Sequence, residues 1–83
     1  MSDPLLHFKS GEIIFREGYP GDNAFVILEG QVEIFNEMLD GTEMRLAVLE
    51  KGQMFGELAL LDDKPRSATA RAMSPVVLQV MPI

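Results

Sequence analysis

The chain has 83 residues, 47% of them hydrophobic and none of them cysteine. That is enough for one core and one domain, and it excludes a disulfide framework, a thiolate metal site and a cysteine nucleophile. The formal net charge is −6, and the seven Lys and Arg residues gather nowhere along the chain, which excludes a direct phosphate-backbone grip on nucleic acid by this segment.

The N-terminal MSDPLLHFKSGE has neither a basic start nor a sustained apolar stretch. No segment approaches the roughly 18 apolar residues that a spanning helix needs. The expectation is one soluble, cytoplasmic domain over residues 1–83 with no membrane span. His7 is the only histidine, and without a second ligand at HxH or HxxE spacing a cupin-like metal site is not available. His7 reads as a solvated terminal residue.

EIIF at 12–15 and NAFVILEG at 23–30 are rich in branched and aromatic residues, and GYPGDN between them has turn chemistry. They read as a first strand pair. QVEIFNEM then alternates, Asp40-Gly41 marks a hairpin turn, and Met44, Leu46 and Val48 alternate with Arg45, Ala47 and Leu49. With Phe25, Ile27, Val32 and Ile34, those three residues read as core. Gly18, Gly21, Gly30 and Gly41 read as turn glycines at positive φ.

GELALL has no β-branched residue and directly follows Phe55, so residues 57–62 read as one or two helical turns. SATARAM and VVLQVM supply the last strands. About seven short strands between turn clusters predict a small all-β sandwich or barrel with one short helix.

FGELALLDDKPRSATA at 55–70 concentrates the chemistry. A short helix after Phe55-Gly56 presents orphan N–H groups and a dipole that favour phosphate, and Gly56 admits a ligand close to the backbone. Arg66 offers a rigid fork matched to two phosphate oxygens. Ser67 adds a hydroxyl, Pro65 stiffens the approach, and Ala68 and Ala70 are too small to fill a ligand's space. Glu57 suits a sugar hydroxyl. Phosphate plus sugar means a nucleotide. The plainer alternatives are a surface salt bridge from Arg66 to Asp62 or Asp63, and a first-turn carboxylate role for Glu57.

The segment resembles the phosphate-binding cassette of the cyclic-nucleotide-binding domain family, and GEIIFREGYPGDNAFVILEGQVEIF is similar to that family's opening strands and turns. The match spans roughly residues 10–81. The resemblance implies a β jelly roll with a ligand-binding set of Phe55, Gly56, Glu57, Leu58, Ala59, Arg66, Ser67 and Ala68. Gly56 and the amides after it would meet the cyclic phosphate, Glu57 the ribose 2′-hydroxyl, and Arg66 an exocyclic phosphate oxygen. A threonine at the Ser67 position accompanies cGMP preference in the family, so serine leans toward cAMP.

The resemblance further implies helices after the barrel, whereas this chain stops at VMPI. The expectation is a fragment, a stand-alone relic or a subunit whose lid comes from elsewhere. The implied function is a sensor without a catalytic residue, metal or cofactor, taking cAMP or cGMP as ligand. A jelly-roll domain that dimerises and binds no nucleotide is the alternative.

Overall fold

The computed structural model describes residues 5–21, 23–56 and 65–82. Eight strands follow in order: β1 (Leu5–Phe8), β2 (Ile13–Phe15), β3 (Asn23–Glu29), β4 (Val32–Glu37), β5 (Glu43–Leu49), β6 (Met54–Phe55), β7 (Thr69–Ala72) and β8 (Val76–Pro82). They form two four-stranded sheets, ordered β1-β8-β3-β6 and β2-β7-β4-β5. All pairings are antiparallel. Among the described strands only β4 and β5 are neighbours in both sequence and space, so the chain repeatedly crosses between sheets, as a jelly roll requires. The expected helix at 57–62 lies outside the described residues.

The expected first pair does not form. β2 pairs with β7, whereas β3 pairs with β8 and β6. GYPGDN ends one strand and starts the next, but it carries the chain from one sheet to the other. Strand β1 was not expected, since LLHF lacks alternation. It is an edge strand on β8 with Leu5 and Leu6 exposed. His7 is solvated as expected, but within that strand.

Alternation places the core. Along β8, Val76, Leu78 and Val80 are buried; on β3, Phe25 and Ile27 are buried; on β4, Val32 is buried, with Ile34 packed against the same cluster. Beside β4 in the same sheet, β7 presents Ala70 and Ala72 to this cluster, exposed by 0% and 1%. These small side chains leave room for three rings. Phe25 and Phe55 lie 5.4 Å apart by centroid, and Phe15 lies 6.1 and 5.8 Å from them. Fully burying a phenylalanine side chain stabilises by about 1.5–3 kcal/mol, and the partly buried Phe15 contributes less than Phe25 or Phe55.

The Asp40-Gly41 hairpin forms as expected: Asp40 Oδ1 accepts from Thr42 N at 3.0 Å and Thr42 Oγ1 at 2.7 Å, and Met38 N donates to Thr42 O at 2.7 Å. The β5 core assignment does not hold. Met44, Leu46 and Val48 are 48%, 52% and 36% exposed. A register shift lies between the Ile34–Ala47 and Phe35–Arg45 pairs, so Leu46 is an extra residue that reverses the alternation. Val48 then shares a face with Glu33, and Met44 with Asn36 on the opposite face.

On the outer face of this sheet an ion network clamps three strands. Arg71 on β7 lies opposite Glu33 on β4 and binds it at 2.5 Å through Nη2. It also reaches Glu43 on β5 at 2.8 and 3.0 Å. Arg45 Nε donates to the other Glu33 oxygen at 2.8 Å. The Arg71 guanidinium carbon is 4.3 Å from the Phe35 centroid. The Arg71 hydrogen bond, then that of Arg45, holds the Glu33 carboxyl below its ordinary value; Arg71 does the same for Glu43, and the pair raises Arg71.

Candidate functional site

Antiparallel pairing brings the ends of β2, β4 and β6 and the starts of β3, β5 and β7 to one end of the sandwich. Phe55, Gly56, Arg66, Ser67 and Ala68 lie there. Glu57, Leu58 and Ala59, the remaining expected site residues, lie outside the described residues.

Arg66 is held by its main chain and its side chain together. Its N–H donates to Tyr19 O and its carbonyl accepts from Gly18 N, both at 2.8 Å. The side chain turns inward, leaving the residue 6% exposed. Nη1 donates to Gly56 O at 2.7 Å and Nη2 to Asn23 O at 2.8 Å. Its Cζ lies 4.3 Å from the Phe15 centroid and 5.7 Å from that of Phe25. Asp62 and Asp63, the partners in the salt-bridge alternative, lie outside the described residues.

The neighbours divide by role. Phe55 belongs to the core cluster, which fixes where the turn at Gly56 starts. Gly56 has φ +86, and a Cβ there would meet Arg66 Nη1 at 2.7 Å, so both conformation and space require glycine. Ser67 is exposed, while its main-chain oxygen accepts from Asn36 Nδ2 at 2.9 Å. Ala68 is buried. Ala70, expected to leave space for a ligand, instead lies in the core at 0% exposure, where it admits the phenylalanine rings.

Sequence reasoning did not find Phe15, Gly21, Asn23 or Asn36 as parts of this end. Asn23 contributes only a carbonyl, which carries no side-chain signature. Asn36 was detectable as an amide at the end of an otherwise apolar and charged strand. Gly21 was assigned to a positive-φ turn, but its φ is not positive. Its need for glycine is spatial. A concavity of about 310 Å³, lined by Phe8, Glu12, Glu29 and Val76 among others, lies at the opposite end of the sandwich and contains none of the expected site residues.

The geometry has counterparts. The chain matches the cyclic nucleotide-binding domain family over residues 5–83 and belongs to that family. It is 44% identical over 71 residues to a cAMP-dependent protein kinase regulatory subunit of Emericella nidulans, covering 86% of this chain and 16% of the relative. It is 38% identical over 71 residues to a CRP-like cAMP-activated global transcriptional regulator of Mycobacterium tuberculosis, covering 86% of this chain and 32% of that protein. The chain thus spans less than a third of these curated relatives.

Among solved structures, cAMP-bound PfPKA-R (141–441) superposes with a TM-score of 0.93 at 35% identity, over 96% of this chain and 28% of that one. The Thermus thermophilus catabolite activator protein gives 0.90 at 34% identity, over 96% of this chain and 38% of that one. Among the described residues no helix is long and apolar enough to cross a membrane.

Proposed function

We propose that this chain is a non-catalytic, cytoplasmic sensor module that binds one cyclic nucleotide, cAMP in preference to cGMP, at the end of the sandwich carrying Gly56, Arg66 and Ser67. The observation that carries the proposal is a guanidinium buried to 6% exposure beside the Gly56 turn and against the Phe15 ring. A cation removed from water has lost much of its hydration, and a phosphate monoanion meets it with a full opposite charge. Because the ring and two carbonyls already orient the fork, little side-chain entropy remains to be lost on binding.

In this reading Arg66 pairs with an exocyclic phosphate oxygen, the amides of Gly56 through Ala59 approach the cyclic phosphate, and Glu57 accepts from the ribose 2′-hydroxyl. Phe55 and Ala68 bound the site, and Ser67 contributes the lean toward cAMP. The names of the two curated relatives and the ligand of PfPKA-R support cAMP. The signal passes to another domain or to a second subunit, and no resident metal or cofactor takes part.

Titration calorimetry with cAMP and with cGMP tests the proposal. The expected result is one site per chain, tighter for cAMP, and a loss of about 2–4 kcal/mol in Arg66→Ala, roughly 30- to 900-fold. Absence of heat and of any melting shift with millimolar amounts of either nucleotide rejects it, since a ligand that binds only the native state raises the melting temperature. The chain then acts as an interaction domain, a reading that the exposed Leu5, Met54 and Met81 favour.

A further inference from the structure

A Cβ built on Gly21 would overlap Nε and Cζ of Arg66 and lie 2.8 Å from Nη2. Only a carbon placed over the flat face of the guanidinium meets those three atoms together, because an approach in the plane reaches one edge first. Gly21 therefore packs its main chain on the guanidinium, which also contacts the Phe15 ring at 4.3 Å. Within the plane, Nη1 and Nη2 reach Gly56 O and Asn23 O.

We infer that Gly21 is a positioning residue for Arg66: the missing side chain at 21 opens the slot that sets the plane and depth of the guanidinium, and through it the nucleotide affinity. The inference rests on the proposed role of Arg66 in binding. It separates Gly21 from Gly56, where φ is +86 and any substitution strains the backbone as well. At Gly21 no such strain applies, so an alanine acts only through the space it takes. The group it strikes is the far end of a flexible side chain, which can swing away. That movement gives up the Arg66 contacts with Gly56, Asn23 and Phe15, and with them a bidentate contact that depends on orientation.

The test is a double-mutant cycle on the full chain. cAMP affinity is measured by calorimetry for wild type, Gly21→Ala, Arg66→Ala and the double variant, beside the side-chain Nε–H resonance of Arg66, which the Phe15 ring current shifts. Gly21→Ala is expected to weaken cAMP at least tenfold in the Arg66 background and less than twofold once Arg66 is alanine. Its Arg66 resonance moves toward the value of a free arginine. Wild-type affinity in Gly21→Ala, or an equal loss in both backgrounds, overturns the inference.

If wild type titrates with neither nucleotide, the proposed function falls, and the resonance alone decides the inference: an unmoved signal in Gly21→Ala overturns it. Should Gly21→Ala fail to fold, recovery of folding in the double variant supports the slot, and failure there overturns it.

Discussion

The guanidinium carbon of Arg66 lies 4.3 Å from the centroid of Phe15 in one sheet, while its nitrogens bond the main chain at Asn23 and Gly56, at the ends of strands in the other sheet. Arg66 thus ties the two sheets together at the end where the candidate site lies.

Arg66→Ala should therefore destabilise the unliganded protein. The hydrogen bonds from a cation to Asn23 O and Gly56 O and the cation–π contacts with Phe15 and Phe25 are lost, which predicts about 2–4 kcal/mol. Urea titration without nucleotide should show a lower midpoint at an unchanged m value. A midpoint equal to wild type would mean that the contacts at Asn23 and Gly56 contribute nothing to the fold.

Ala70 is fully buried against the aromatic cluster. Ala70→Val adds two methyl groups where the sheets approach closely and should cost about 1–3 kcal/mol. Thermal unfolding is the readout, and a melting temperature at or above that of wild type would show spare room under the rings.

Glu33 and Glu43 are both held below their ordinary value of 4.5, chiefly by hydrogen bonds from Arg71. Depressed carboxyls bind protons less readily in the folded protein than in the unfolded chain, so their contribution is complete above about pH 4.5. It is lost as the pH falls through the lower folded values. Melting temperatures from pH 7 to pH 2 should drop below pH 4.5, and the drop should be shallower in Glu33→Gln. A profile identical to wild type in that variant would remove Glu33 from the acid response.

Leu46 on β5 and Ile27 on β3 are of similar hydrophobicity but differ in burial. Leu46 is 52% exposed and Ile27 is 0% exposed. Leu46→Gln should change stability by no more than about 0.5 kcal/mol, whereas Ile27→Ala should cost about 2–5 kcal/mol. Chemical denaturation of both variants checks the pair. A large cost at Leu46 would restore it to the core.

The strands other than β1 and β6, the Asp40-Gly41 hairpin and the inward faces of β3 and β4 were legible in the sequence. Each is encoded within a few residues, by alternation or by turn chemistry. Sheet membership was not legible. GYPGDN reverses no strand onto its neighbour, and the partners of β2 and β3 lie far along the chain in β7 and β8. The Leu46 bulge escaped for a related reason: an extra residue is visible only against the strand it pairs with, and β5 alone reads as regular.

The sequence by itself determined that residues 55–68 hold a glycine, an arginine and a serine in that order, since those are properties of residue type and spacing. The tertiary structure alone decided that Arg66 points inward, that the ring beneath it belongs to Phe15, and that Gly21 must lack a side chain for reasons of space. These depend on atoms more than 40 residues apart in the chain meeting at one end of two sheets, and no local pattern of side chains carries that distance.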